Sequence, residues 1–180
     1  MAWVTPPTFV SGNVLTAAQL NTLSADLNET AVGKATAAGQ LFVSTAANAV
    51  TPRTPQFAQI DTSETTTTAN AYGDLTTVGP TVTVTVSAAA IIFYSAMISN
   101  GTGGGSGLVS YAISGASSLP APNGHTLRVI SEIANVAQQM SKVNWQSNIT
   151  AGSNTIKLQY TTHSGGTATF SFRDILVIPL

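Results

Sequence analysis

Few side chains of this sequence are suited to acid–base or metal chemistry, and their spacing does not combine them into a catalytic motif. The chain has two histidines, His125 and His163, and each lies in or beside a turn-forming cluster. No His-x-x-x-His spacing and no cluster of acidic residues accompanies either one, so both are interpreted as turn or surface residues. The chain has no cysteine, which excludes disulfides and thiolate metal ligands. We expect no metal and no cofactor.

Carboxylates and glycine-rich loops offer no better case for catalysis. Asp61 and Glu64 are three positions apart in a threonine-rich stretch, and we expect them to lie in a solvated loop. Glycosidase chemistry needs two carboxylates held across a sugar, and the chain has only seven acidic residues for any such pair. The run 101–107 lacks the Gly-Lys-Ser/Thr ending of a phosphate loop and predicts a flexible hairpin loop, with a contact to a receptor or neighbour as the alternative. The sequence therefore predicts a protein that is not an enzyme.

The composition indicates a surface with very few charges. Charged residues make up 7% of the chain and hydrophobic residues 43%, whereas about a quarter of an average soluble protein is charged. Thr, Ser, Asn, Gln and Gly suit sheet surfaces and subunit contacts, because ordering them desolvates no ions. The net charge is −1 and no basic stripe is present, so we expect no nucleic-acid partner. No apolar run reaches the ~18–20 residues that span a bilayer, and we expect no membrane insertion.

The N-terminal region, residues 1–33, is predicted to form an extended arm followed by an assembly helix over about 17–32. Thr16 and Gln19 have the spacing of a capping box, in which each residue's side chain satisfies the backbone N–H of the other. Gly33 suits the position that follows the end of a helix. A helix of this length is marginal in water without a partner, so its packing partner decides its role.

Three leucines of this helix, at spacings of 3 and 4, fall on one helical face. This stripe packs either on the chain's own β-domain or in a short bundle of identical chains, and we favour a homo-oligomer, most simply a homotrimer. Two asparagines seven residues apart flank the stripe and would set the register by hydrogen bonding, while the aromatic residues of the arm would contact a different protein. The candidate assembly interface consists of Trp3, Phe9, Leu20, Leu23, Leu27, Asn21 and Asn28.

The rest of the chain is predicted to be a linker followed by an all-β domain. Residues 34–56 are rich in Ala, Thr, Val and Pro and indicate a semi-ordered linker with one strand at 40–43. Residues 57–180 contain a strict Thr/Val alternation at 81–86 and a nearly continuous apolar run at 90–98, which predicts a central strand. Further strands are predicted at 108–113, 125–130, 155–160, 167–172 and 175–178.

Eight or nine short strands separated by turn clusters predict a mainly β fold, an antiparallel β-sandwich of jelly-roll-like form with a short N-terminal α-helix. Segment 132–146 fits either a helix or a strand, and the all-β context favours a strand. The alternation predicts a buried set that comprises Val82, Val84, Val86, Ile92, Tyr94, Leu158, Tyr160, Phe170, Phe172, Leu176 and Ile178.

Both ends of the chain resemble small tail-associated virion proteins of double-stranded DNA bacteriophages, often described as minor tail or tail fibre-like proteins. The resemblance rests on Trp3, residues 7–9 (PTF), Gly12 and residues 14–21 (VLTAAQLN), on residues 72–75 and 79–84, and on residues 151–160, 166–170, Arg173 and 177–180. Such proteins often carry an Asp-Asn pair in the N-terminal helix, which is split here into Asp26 and Asn28.

This resemblance implies a structural component of the virion, assembled in the bacterial host cytoplasm, and it carries no catalytic residues. The expected role is a tail or tail-tip protein that presents a β-sandwich for assembly and host attachment. A capsid decoration or head-fibre protein is the alternative within the virion. A carbohydrate-binding module is the alternative of another class, and it predicts exposed aromatic side chains clustered to stack on sugars. The expected partners are other copies of the chain, other virion proteins and a glycan or protein of the host surface.

Overall fold

A computed structural model describes residues 7–47, 49–122 and 124–180, and the chain divides into two compact units. The first unit ends at Thr54 and the second spans Pro55–Leu180. Each unit contains its own set of secondary-structure elements.

The first unit contains the predicted helix, which is shorter than expected. Helix α1 spans Ala17–Asn28 and a second short helix, α2, spans Ala31–Lys34. The capping box is confirmed: the Gln19 amide donates to Thr16 Oγ1 at 3.3 Å, and Gln19 Oε1 accepts from the Thr16 amide at 3.0 Å.

The predicted helix end at Gly33 is wrong because Thr30 interrupts the helix. The Thr30 hydroxyl donates to the Leu27 carbonyl at 2.7 Å and accepts from the Gly33 amide at 3.2 Å. A threonine that bonds to the local backbone in this way competes with the helical ladder. Thr30 therefore ends α1 and caps α2, and Gly33 lies inside the second helix.

The segment that was predicted to be a linker contains a β-hairpin. Strands β1 (Leu41–Ala46) and β2 (Ala49–Arg53) pair in antiparallel fashion, and their register places Phe42 opposite Pro52. Proline is tolerated there because a two-stranded sheet consists of edge strands only. The hairpin extends the folded part of the first unit to the boundary at Thr54.

The second unit is an antiparallel sandwich of two sheets. Its strands are β3 (Gln56–Ile60), β4 (Glu64–Thr66), β5 (Thr81–Val86), β6 (Ala90–Asn100), β7 (Gly105–Gly115), β8 (Leu127–Ser131), β9 (Gln138–Gln146), β10 (Gly152–His163) and β11 (Ala168–Pro179). One sheet has the order β3-β11-β6-β9 and the other β5-β10-β7-β8, while β4 also pairs with β11. Counted along the chain without β4, these orders are 1-8-3-6 and 2-7-4-5, which is the interleaved arrangement of a jelly roll.

Most of the predicted core is confirmed by the burial pattern. In β5 the valines point inward and the threonines outward, as the alternation predicts. Strand β6 is central in its sheet, between β11 and β9. In segment 132–146 the predicted strand forms over β9, after a turn in which Asn135 has a φ of 64°.

The predicted burial fails along β11, where a β-bulge changes which residues face the core. The register with β6 shifts between Ser171 and Asp174, and Phe172 has a φ of 46°. One extra residue reverses the inward and outward positions of all that follow. Phe170 is therefore buried as predicted, but Phe172 is 49% exposed. Leu176 and Ile178 turn to the outer face and are only partly buried, while Ile175 and Val177 take the core positions.

Candidate functional site

The predicted assembly residues that the structure describes lie largely exposed on the first unit. Phe9 is 50% exposed, Leu20 51% and Leu27 67%, whereas Leu23 is partly buried and Asn21 and Asn28 are exposed. Trp3 lies outside the described residues. Helix α1 therefore brings the three leucines to one face and leaves most of that face accessible. This arrangement suits a contact with another chain.

A second apolar surface lies on the outer face of the sheet β3-β11-β6-β9, and sequence reasoning missed it. Leu176 pairs with Phe57 on one side and Phe93 on the other, and Phe93 pairs with Val143. Side chains at paired positions lie on the same face of a sheet, so one apolar row crosses all four strands. The next row adds Ile178, Ile91 and Trp145. We call these seven residues the outer apolar face.

Polar side chains border this face and help to line a groove. The row after Phe57 and Phe93 contains Gln59, Asp174, Ser95 and Ser141. The Ser95 hydroxyl donates to Asp174 Oδ2 at 2.8 Å, and Gln139 Nε2 donates to Ser95 Oγ at 3.3 Å. The groove has a volume of about 360 Å³. It is lined by Phe57, Phe93, Val143 and Leu176 on its apolar side and by Ser95, Ser141 and Asp174 on its polar side.

The two histidines make structural contacts instead of forming a reactive pair. The His125 ring stacks on Tyr111 with 5.8 Å between ring centroids. The backbone carbonyl of His125 accepts a hydrogen bond from the Tyr94 hydroxyl at 3.0 Å. His163 Nδ1 lies 2.6 Å from Asn70 Oδ1. Each imidazole has a neighbour that explains its position without a ligand.

The carboxylates at 61 and 64 do not work as a pair either. Asp61 accepts a hydrogen bond from the Gln59 amide. Glu64 accepts from the Thr77 amide at 2.9 Å and lies 3.4 Å from Arg173, whose side chain is fully buried. Desolvation alone raises the pKa of Glu64, but the hydrogen bonds from Thr77 and the charge of Arg173 lower that pKa below its usual value. The prediction of a solvated loop is wrong for Glu64, which is a partner of a buried cation.

The glycine-rich run is not a hairpin, because β6 and β7 belong to different sheets. Buried Asn100 holds this crossover: its Nδ2 donates to Thr162 Oγ1 at 3.1 Å and to the Gly165 carbonyl at 3.3 Å, and its Oδ1 accepts from the Thr102 amide at 2.9 Å. A buried amide with several partners fixes the loop. The prediction of a flexible hairpin loop is therefore wrong.

Metal and membrane sites are considered for residues 7–47, 49–122 and 124–180, the part of the chain that the structure describes. These residues contain no group of three or more His, Asp or Glu side chains that is arranged to hold a metal ion. They also contain no helix with the length and apolar character that a bilayer crossing requires.

Comparison with known proteins finds similarity at the level of the fold. No protein-family model and no curated protein matches the chain. One similar structure is the VP2 subviral particle of infectious bursal disease virus. The match covers 75% of this chain and 36% of the VP2 chain, at 13% identity and a TM-score of 0.45. A second is the structure of the Gx strain of the same virus. That match covers 76% of this chain and 37% of the viral chain, at 15% identity and a TM-score of 0.44. The chain thus spans about a third of the length of these structures, and similarity at this level supports no functional inference.

Proposed function

We propose that this chain is a non-enzymatic structural protein of a bacteriophage virion, a tail or tail-tip protein that displays its jelly roll for assembly and host attachment. The observation that carries the proposal is the preformed, capped helix α1, on which Leu20 and Leu27 are exposed, in a chain whose second unit has its own complete core. The sequence resemblance to tail-associated virion proteins agrees with this division into a mounting element and a displayed domain.

The apolar area on α1 would drive the association of three copies of the chain. Three copies would bury Leu20, Leu23 and Leu27 together, and each leucine that leaves water contributes about 1.5–3 kcal/mol when its burial is complete. Leu23 contributes less, since it is already partly buried. Asn21 and Asn28 border the stripe on one side, where they would bond between copies and set the register. Phe9, and with it Trp3, would then contact a different virion protein.

The double variant Leu20→Asp, Leu23→Asp should convert a trimer into a monomer while the jelly roll stays folded. Each copy would have to desolvate two carboxylates without partners in the centre of the bundle. This desolvation costs more free energy than the remaining leucine contacts supply. Multi-angle light scattering gives the mass, and circular dichroism reports the β-structure. Ala18→Asp, Thr22→Asp is the matched control, because at 100° per residue these positions lie opposite the stripe, and it should leave the trimer intact. A monomeric parent, or a variant with the parent's mass, would refute the assembly role of α1.

Assays on polysaccharide, peptidoglycan and peptide substrates should show no turnover. The physical reason is that His125, His163 and Glu64 are engaged in structural contacts and lie in no shared reactive group. Activity that copurifies with the protein and is abolished by His125→Ala or His163→Ala would overturn the non-enzymatic assignment.

A further inference from the structure

The groove on the outer face of the sheet β3-β11-β6-β9 combines an apolar side with a polar border. Its volume of about 360 Å³ lies within the range of about 300–1,000 Å³ that small-molecule sites occupy. Such sites are mostly apolar and carry a few polar groups that fix orientation. We propose that this groove binds a saccharide, with the C–H face of a pyranose ring on the aromatic side and the hydroxyls toward Asp174, Ser95 and Ser141.

The aromatic side provides two exposed ring surfaces on the same face of the sheet. Phe57 and Phe93 are separated by one strand, β11, which places their backbones about 10 Å apart. Phe57 is 60% exposed and Phe93 40%. Aromatic faces carry negative charge density, and they attract the polarised C–H groups on the apolar face of a pyranose. Trp145, which is 61% exposed on the next row, extends this surface.

The polar side offers hydrogen-bonding capacity that the protein itself does not use. Asp174 Oδ2 accepts from Ser95, and no described residue donates to Asp174 Oδ1, although a carboxylate accepts about four hydrogen bonds. The chain Gln139–Ser95–Asp174 fixes the orientation of this carboxylate. The polar row is two residues along each strand from the apolar row, or about 7 Å. One six-membered ring can therefore rest on the first row and reach the second with its hydroxyls.

The charge of the groove favours a neutral hydroxylated ligand over a second copy of the chain. Asp174 is the charged side chain of the groove that stays available, because Lys142 Nζ turns away to donate to the Thr126 carbonyl at 3.0 Å. Stacking two outer apolar faces would bury Asp174 of both copies with no cation of this groove to pair with, and an unpaired buried carboxylate is costly. Sugar hydroxyls satisfy a carboxylate without bringing a charge of their own.

This inference names a ligand class for the displayed domain but does not depend on a virion role or on α1. It is tested on the intact chain by NMR, with amide shifts followed during separate titrations with glucose, galactose, mannose, rhamnose and N-acetylglucosamine. At least one sugar should shift amides around Phe93, Ser141 and Asp174 in a saturable way. Phe93→Ala and Asp174→Asn should each weaken that binding about tenfold or more, which corresponds to about 1.4 kcal/mol.

Phe42→Ala is the matched control, since Phe42 is 38% exposed on strand β1 of the first unit, and it should leave the affinity unchanged. Thermal unfolding checks that each variant is folded. The proposal is overturned if none of the five sugars shifts the groove amides, or if both groove variants bind as the parent does. It is also overturned if the same amides shift with protein concentration alone, which would identify a second copy as the occupant. The mass of the parent and of the Leu20→Asp, Leu23→Asp variant is measured separately, so the two proposals fail independently.

Discussion

Between about pH 10 and pH 12 the protein should lose stability steeply and unfold with a cooperative release of protons from its core tyrosines. Tyr94, Tyr111 and Tyr160 are at most 2% exposed. Burial raises the pKa of Tyr94 to about 12, and burial raises the pKa of Tyr111 and Tyr160 as well. The folded state thus keeps protons that the unfolded chain releases near pH 10.

The direction and size of the effect follow from this difference in bound protons. The stabilisation is fully present below pH 10 and is lost as the pH rises toward the folded-state pKa values. For each of these tyrosines the free energy of unfolding falls by up to 1.36 kcal/mol per pH unit, so for three together the fall approaches about 4 kcal/mol per pH unit. Small domains have about 5–15 kcal/mol in total, so a loss of at most about 8 kcal/mol between pH 10 and pH 12 removes a large part or all of the stability.

Two measurements check this prediction. Tyrosinate absorbance and the circular dichroism of the β-structure, recorded against pH, should change together in one transition. Denaturant titrations at several pH values give the slope directly, and Tyr160→Phe should reduce it by about a third. If all four tyrosines of the chain ionise near pH 10 while the β-structure persists, the core tyrosines are accessible and the prediction is wrong.

Phe170→Ala should cost about 3–5 kcal/mol of unfolding free energy, as truncations of buried phenylalanines do. The Phe170 side chain is fully buried, and its ring centroid lies 4.9 Å from that of Tyr160. Strand β7 approaches so closely at Gly107 that a Cβ there would lie 3.3 Å from the Phe170 ring. The ring is thus packed between the β7 backbone and Tyr160, and alanine would remove these contacts and leave a cavity in the core.

Phe172→Ala is the matched control for this variant, because the same change is made two residues along the same strand. Phe172 is 49% exposed, so its truncation should change stability by no more than about 1 kcal/mol. Urea or guanidinium unfolding of both variants gives the comparison. Equal losses in the two proteins would show that the bulge does not separate a core position from a surface position.

Local signals made much of this fold predictable from sequence. The capping box at Thr16 needs only residues three apart, and the Thr/Val alternation of β5 shows directly which side chains face the core. Helix α1 and the antiparallel jelly roll are therefore predictable from these patterns. The end of α1 was missed because the Thr30 hydroxyl can bond either within a helix or at its boundary, and the sequence pattern does not distinguish the two.

The outer apolar face could not be derived by the same reasoning, because a bulge breaks the period of two. Phe170 and Phe172 both look like core residues, as do Leu176 and Ile178, when β11 is taken as regular. The insertion of one residue moves the last two to the surface, where pairing with β3 and β6 brings them to Phe57 and Phe93. A hint was present in the run 90–98, since Ile91 and Phe93 are as apolar as their inward neighbours and indicate a strand with two apolar faces.

The contact between Glu64 and buried Arg173 likewise depends on the pairing of strands that are far apart in the sequence. Glu64 belongs to β4, and it reaches Arg173 because β4 pairs with β11 across more than a hundred residues of chain. A threonine-rich surrounding is ordinary for a loop, so composition favoured a solvated carboxylate. The long-range register of β4 with β11, which no local sequence pattern encodes, brings this carboxylate to Arg173.

The pairing of β3 with β11 also defines two opposite poles of the jelly roll. Gln56 lies opposite Val177, so the strand that begins the second unit and the strand that completes it share one pole. Gly101, Gly104 and Asn135 bond to Thr167, Ser131 and Asn100 at the other end of β11 and β6. Twelve residues of β11 separate the poles by about 35–40 Å. The turns at 101–104, 132–137 and 164–167 therefore lie at the pole opposite Gln56, and a peptide inserted at 164–166 would be presented at that pole.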